Sequence, residues 1–364
     1  MAAVFICDCL TDILTAKEKE GHVKMLREKL MVVLMAGMVA VSLAGCGRSD
    51  GDSADSSSKS VSSGSSASSG SDKLVKVGII NNDPNESGYR KASDRDLQET
   101  FTKENGYDAS FVYSSENEEQ INAAQKFIQD DVDYLLLSAA DTSGWDVVLQ
   151  EAKDAGVGVI LFDRMPDVDE SLYEASIVSD MEKEGEMAVE WLKNQKLDKY
   201  EIIHIQGVLG SAPQIGRSDA LDETVKSEGW ELVEQQTAEW DTKKAKQIVQ
   251  SVIDAKKSFN VIYAENDDMA KGAVAALDKA NISHGVGKDV IVMGFDNNTW
   301  ALQELLAKNW NYDGQCNPYQ SSYILEVIEK LERGDELTEK KIIIEETGFD
   351  AETITQEDID KYGI

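Results

Sequence analysis

From residue 74 onward, short apolar runs alternate with longer segments in which apolar residues recur every three or four positions. "LVKVGII" (74–80), "YDASFVY" (107–113), "VDYLLLS" (132–138) and "VGVILFD" (157–163) have strand length and few polar breaks. Between them, "GYRKASDRDLQETFTKENG" (88–106), "NEEQINAAQKFIQDD" (117–131) and "GWDVVLQEAKDAG" (144–156) carry helical spacing. Ile121, Ala124, Phe127 and Ile128 fall on one helical face, and the first and third segments end on glycine, as helix stops prefer. The pattern restarts at "GEMAVEWLKNQK" (185–196) and runs through "YEIIHIQG", "IGRSDALDETVKSEG", "WELVEQQTA", "TKKAKQIVQSVIDAK", "FNVIYAEN", "DDMAKGAVAALDKA" and "DVIVMGFD" (289–296). Strands that are apolar on both faces and spaced by helices predict parallel sheets covered on both sides. The expected fold class is therefore α/β, with two doubly wound parallel-sheet lobes in succession.

Open sheets of this kind take ligands at the carboxyl ends of their strands, and two such edges facing each other form a cleft. The polar residues cluster at those ends: "NNDPNESGYR" (81–90), Asp163-Arg164, "VLGSAPQIGR" ending at Arg217, Asn266-Asp267, Phe295-Asp296 and "CNP" (316–318). Arg90, Arg164 and Arg217 each offer donors in a fixed fork, and Asp163 and Asp296 accept when ionised. Asn266 and Asn317 do both. Tyr89, Trp145 or Trp240 could cover an apolar face. The set suits a neutral, polyhydroxylated ligand such as a sugar ring, whose hydroxyls make the stronger, charge-assisted class of hydrogen bond.

The front of the chain has a different character. "MLREKLMVVLMAGMVAVSLAGCG" from Met25 holds basic residues, then an apolar stretch too short to span a membrane, then Leu43-Ala44-Gly45-Cys46, which resembles the lipobox of bacterial lipoproteins. On that reading residues 1–24 are an upstream extension from a misplaced start, 25–45 a signal peptide, and Cys46 a lipidated membrane tether. Residues 46–73 combine the tether with a serine-rich flexible linker. The protein would sit outside the cytoplasm, anchored to the cell membrane. The formal net charge of -32 falls on the part after Cys46. It repels nucleic acid and suits a basic membrane partner. Only Cys46 and Cys316 remain after processing, so no internal disulfide is expected.

The motifs "ESGYR" (86–90), "TSGWDVVLQEAKDAGVGVILFDR" (142–164), "QGVLGSAPQIGR" (206–217), "AENDDMAKGA" (264–273), "GFD" (294–296) and "CNP" (316–318) resemble the periplasmic-binding-protein type 1 sugar receptors of ABC transporters. The ribose and galactose group fits, and within it the galactofuranose-binding branch fits best. The resemblance implies that Arg90, Asp163, Arg164, Arg217, Asn266, Asp296 and Asn317 contact a monosaccharide, with Trp240 as a stacking group. Tyr89 stands where that branch usually has tryptophan. Gly158 stands where a proline is common. It implies lobes at 74–179 plus 316–336 and 180–315 plus 337–364, joined by three hinge crossings, the last near "IIIEE". The function implied is a monomeric solute receptor that needs no cofactor and delivers galactofuranose, galactose, arabinose or a similar sugar to an ABC permease by hinge closure.

Other readings are a sugar receptor for a membrane sensor, or a glycosidase using Asp163 and Asp296. The second is disfavoured because Arg164 beside Asp163 favours its ionised form. "DVDE" (167–170) lacks the glycine of a calcium loop, and no G-x-G-x-x-G follows the first strand. Cys316 is expected to pack rather than react, because no histidine pairs with it in the sequence. Arg90 falls on the strand-end rim, where truncation should cost affinity and leave folding intact.

Overall fold

The computed structural model describes residues 73–364. The upstream extension, the leader, Cys46 and the linker through residue 72 lie outside the described residues.

Twelve strands form two six-stranded sheets among the described residues. The first sheet comes from β1 (Val75–Asn81), β2 (Tyr107–Tyr113), β3 (Tyr134–Leu137), β4 (Gly158–Phe162), β5 (Ala175–Ser179) and β11 (Lys341–Ile344), in the order β11-β5-β4-β3-β1-β2, all parallel. The second comes from β6 (Glu201–Gln206), β7 (Glu231–Thr237), β8 (Val261–Ala264), β9 (Ile291–Phe295), β10 (Tyr312–Gly314) and β12 (Gly348–Asp350), in the order β12-β10-β9-β8-β6-β7. Here only the β10–β12 pair is antiparallel. The helices are α1 (Gly88–Thr100), α2 (Asn117–Gln129), α3 (Asp146–Ala155), α4 (Met181–Asn194), α5 (Ala212–Glu228), α6 (Thr242–Asp254), α7 (Asp267–Ala280), α8 (Thr299–Leu306), α9 (Ser321–Glu332) and α10 (Gln356–Tyr362).

Strand alternation divides each core into two layers. In β3, Leu136 packs with Leu97, Phe101, Ile324 and Ile328 from α1, its trailing turn and α9. Its neighbours Leu135 and Leu137 face Ala124, Phe127, Val148 and Leu149 from α2 and α3. In the second lobe, Ile203, Ile262 and Val292 face α6 and α7, while Ile202, Val261 and Met293 face α4 and α5. Each such apolar side chain, fully buried, contributes about 1.5–3 kcal/mol relative to exposure.

Two details depart from the sequence pattern. Helix α1 stops at Thr100, six residues before Gly106, because Phe101 turns into the core against Tyr107 (ring centroids 5.1 Å). The Asn105 side chain then takes up the free Thr100 carbonyl at 2.8 Å. Residues 341–344, expected with the second lobe, instead pair with β5 and extend the first sheet. The short strand forms an edge there, with Ile344 buried and Ile343 facing solvent. The third crossing consequently lies at 345–347, between β11 and β12.

The chain crosses between lobes three times: at Asp180 after β5, at 315–320 after β10, and at 345–347. Just past the first crossing, α4 and α5 pack almost backbone to backbone. A Cβ on Gly216 would sit 2.5 Å from the Met181 carbonyl carbon, and one on Gly185 would sit 2.8 Å from the Gly216 carbonyl oxygen. Gly216→Ala should therefore destabilise the chain by about 1–3 kcal/mol through overpacking. Urea unfolding checks this; an unchanged midpoint would contradict the packing described.

Candidate ligand-binding cleft

Asp163 follows β4 directly. Its backbone is left-handed (φ 58°), while its N–H still donates to the Ile177 carbonyl of β5 at 2.9 Å. Asp tolerates this region better than most residues. The turn aims its carboxylate out of the sheet. There Oδ1 accepts from the Tyr89 hydroxyl at 2.9 Å, and Oδ2 accepts from Ser138 Oγ at 2.6 Å and from the Arg90 guanidinium. Tyr89 and Arg90 lie in the first turn of α1, where the Ser87 hydroxyl accepts from the Arg90 N–H. Glu86 bridges two cations, accepting from Arg90 Nε at 3.1 Å and from an Arg164 terminal nitrogen at 3.0 Å. Arg164 also donates to Asn82 Oδ1 at 3.0 Å, but its Nε is buried without a partner.

The second lobe repeats the scheme. Asp296 follows β9 with φ 98°, and its N–H donates to the Gly314 carbonyl of β10 at 2.9 Å. Its Oδ1 accepts from Arg217 at 3.2 Å. Arg217, on α5, also donates Nε to Glu184 at 2.7 Å and a terminal nitrogen to the Glu265 carbonyl, and lies 4.6 Å over the Phe295 ring. Asn266 caps α7 by accepting from the Met269 N–H at 2.8 Å. Trp240 is left-handed as well (φ 64°). Its ring occupies the space a side chain at residue 207 would need, since a Cβ on Gly207 would come within 1.9 Å of it. The Trp240 indole N–H is buried without a partner.

The two edges meet. The Gly88 N–H of the first lobe donates to Asp268 Oδ2 of the second at 3.2 Å, and the Arg164 guanidinium lies 5.7 Å from the Trp240 ring. Between them is a tight cavity of about 20 Å³, little more than one water needs. Eight residues expected at the site from the sequence line it: Tyr89, Arg90, Asp163 and Arg164 from one side, Arg217, Trp240, Asn266 and Asp296 from the other.

Two expected residues do not reach it. Asn317 turns away; its N–H donates to Glu346, and its Oδ1 accepts from the Tyr319 N–H at 2.9 Å. Its neighbour Cys316 lines the cavity instead, packed with Tyr89 and Met181. Trp145, considered as a sugar cover, is fully buried under the first sheet, with its indole donating to the Asp141 carbonyl at 3.0 Å. Glu86 had been passed over, although it sits one helical turn before Arg90 in the quoted "ESGYR", the spacing at which a carboxylate meets a guanidinium.

A periplasmic binding protein domain family matches residues 77–336 of the chain, the span that contains both edges of this cleft. The chain belongs to that family. Among periplasmic binding proteins, it is 30% identical to the fructose import binding protein of Bifidobacterium longum over 89% of this chain and 94% of that one. It is 27% identical to the galactofuranose-binding protein of Escherichia coli over 75% of this chain and 87% of that one. Among solved structures, it resembles the arabinose transporter's binding protein from Shewanella sp. ANA-3 bound to L-arabinofuranose. There the TM-score is 0.73 and the identity 26%, over 79% of this chain and 95% of that one. The two doubly wound lobes joined by crossing segments are the type 1 form of the periplasmic binding protein fold.

The charges inside the cleft oppose one another, three guanidinium groups against four carboxylates. Burial pushes the Asp163 carboxyl up, but Arg90 and Arg164 outweigh it and hold it below the usual range. A carboxylate held ionised in this way is poorly suited to general-acid work. Burial lowers Arg217, yet Glu184 and Asp296 leave its net affinity for the proton raised. Asp296 itself is pushed up to about 7, by burial first, with Arg217 opposing and Glu184 adding. Behind it, Asp267 and Asp313 face each other fully buried, and burial lifts Asp313 to about 7. Burial also raises the Cys316 thiol, helped by Glu184 and Glu346, which leaves it protonated and unreactive.

Arg90 lines the cleft at the expected strand-end rim but is 3% exposed, so its truncation bears on folding as well as on affinity. Arg90→Ala would strand the buried Asp163 charge and should destabilise the first lobe by about 3–5 kcal/mol. Because Asp163 is depressed in the folded state, the pair's contribution is complete above the ordinary carboxylate range and is lost only as the pH falls through the lowered value. Chemical denaturation of the variant at pH 7 and at about pH 2.5 checks both points. The gap from wild type should narrow at the lower pH, and equal stability at pH 7 would contradict the pairing.

Proposed function

We propose that the chain captures a neutral monosaccharide in furanose form between its lobes and hands it to an ABC permease. The observation that carries this reading is a small cavity whose charges are already paired while two buried donors, Arg164 Nε and the Trp240 indole N–H, lack partners. In this arrangement the space is far below the roughly 300 Å³ of ordinary ligand sites, so a single ring enters only with the lobes further apart. The three guanidinium groups of Arg90, Arg164 and Arg217 already face four carboxylates, Glu86, Asp163, Glu184 and Asp296, so an anionic ligand would add negative charge to a dry site. Hydroxyl oxygens supply acceptors without charge. The sugars in the relatives' names, fructose and galactofuranose, and the arabinofuranose of the related structure support a five-membered ring. Galactose, arabinose and fructose are the leading candidates.

Trp240 serves this ligand as a hydrogen-bond donor at least as much as a stacking face. Asn317 serves it only by shaping the second crossing. The protein works as a monomer and is held outside the cytoplasm on the cell membrane through lipidated Cys46, with residues 47–72 as a leash. The sequence order of basic residues, apolar run and cysteine supports the anchor.

Isothermal titration with D-galactose, L-arabinose, D-fructose and D-ribose should find one sugar binding in the micromolar range, about -8 kcal/mol. The 6-phosphate of fructose should give no heat. Arg217→Ala should weaken the binding sugar more than tenfold. A phosphorylated sugar that outcompetes the neutral one would overturn the reading. For the anchor, Cys46→Ala should move the protein from the membrane pellet to the soluble fraction; retention in the pellet would remove lipidation from the account.

A further inference from the structure

Away from the cavity, the three crossings converge on one pair of acids. Glu346, on the third crossing, accepts through Oε1 from the Ser179 hydroxyl at the first crossing (2.7 Å) and from the Asn317 N–H at the second. Its other oxygen, Oε2, is buried without a partner. Glu184, on α4, is 1% exposed and gives Oε2 to Arg217, and its Oε1 is likewise buried without a partner. The ligand atoms of Glu184, Glu346 and Cys316 lie within 4.8 Å of one another. Two buried carboxylates at this spacing resist ionising together. Arg217 compensates one of them and is shared with Asp296, while the Cys316 thiol between the acids and the Tyr89 ring is uncharged. Among the described residues, no cation forms an ion pair with Glu346. One proton held by the pair removes one of the two like charges and supplies a donor where both acids have an orphaned oxygen.

We propose that Glu184 and Glu346 share a single proton in the closed arrangement and release it to solvent when the crossings part, so that lobe closure takes up a proton. The geometry makes the pair a clasp on all three crossings, and through Arg217 it reaches the Asp296 carboxylate in the cleft. Burial, and then the Glu184 charge, hold the Glu346 carboxyl at about 9. The ordinary glutamate value is about 4.3. A group raised in the closed form favours closure fully below its ordinary value, and that support is lost as the pH rises through the raised one. Between those limits the opening equilibrium should shift about tenfold per pH unit. The consequence for ligand affinity rests on the binding function proposed above; the proton itself does not.

Hydrogen–deuterium exchange on the sugar-free full chain tests the clasp without a ligand. After correction for intrinsic rates, protection at residues 179–181, 314–318 and 345–347 should fall about tenfold per pH unit from pH 6 to 8, while the sheet interiors hold theirs. Glu346→Gln keeps the shape and cannot ionise, so its crossings should show no such slope. Glu184→Gln, reaching the pair from the other side, should behave the same way and stands in if the first variant fails to fold. Wild-type crossings whose protection does not change with pH, or variants with the wild-type slope, would overturn the proposal. So would Zn²⁺ alone raising protection at pH 7 in wild type and in neither variant, since the cluster would then be a metal site.

Discussion

Everything at the cleft depends on one buried contact made twice: an arginine from the helix side of each lobe set against an aspartate that ends the third strand from the same edge. Arg90 meets Asp163 after β4, and Arg217 meets Asp296 after β9. In both lobes the aspartate keeps its N–H in the sheet, bonded to the neighbouring strand, while a left-handed backbone swings its carboxylate out. Such strain persists only where the surroundings over-determine it, and it concentrates at functional sites. Here the arginine forks and the sheet ladder over-determine it together. The lobes differ in what surrounds the pair. Asp163 has two guanidinium groups, Ser138 and Tyr89, and stays ionised. Asp296 shares one guanidinium with Glu184 and lies near Asp313, and its affinity for a proton climbs toward neutrality.

Much of this was legible in the sequence because the physics is local. Apolar runs such as "YLLL" and "VGVILF" can only be strands buried on both faces, and the polar residues that follow them must fall on one edge of the sheet. Eight of the cavity's residues follow strand ends in this way or lie on the segments just after them. Local pattern fails where a tertiary choice decides between neighbours. "CNP" could not tell which of Cys316 and Asn317 faces the cavity, because the answer is set by Glu346, which captures the Asn317 N–H from a segment 29 positions away. Trp145 and Trp240 looked alike as aromatic covers. The first follows an apolar-periodic helix into the core, and the second is placed by Gly207, whose missing side chain makes room for the indole. The run 341–344 reads as a strand, but nothing local says which of two sheets lacks an edge.

The crossings add a second level to the account. A lobe pair linked by one segment could twist freely, whereas three segments confine the motion to opening and closing. Ser179, Asn317 and Glu346 tie those segments to one another, and Glu184, which has a carboxylate oxygen within 4.8 Å of one on Glu346, bonds Arg217 at the cleft. Hinge and binding edge thus adjoin inside a largely apolar frame. Truncating any member leaves others buried and unpaired, which is why the site's charged residues bear on stability as well as recognition.

The central claim is that a neutral sugar fills the space between the lobes and completes the two orphaned donors. Its most direct test is the indole N–H resonance of Trp240 in chain labelled with ¹⁵N-tryptophan. Six tryptophans give few signals, and Trp240→Phe identifies the one that matters. On adding L-arabinose, D-galactose or D-fructose in turn, the account predicts that one sugar shifts the Trp240 signal to saturation, as its N–H gains an acceptor, while the core Trp145 signal stays in place. A sugar that binds with measurable heat yet leaves Trp240 unmoved would put the ligand somewhere other than this cleft.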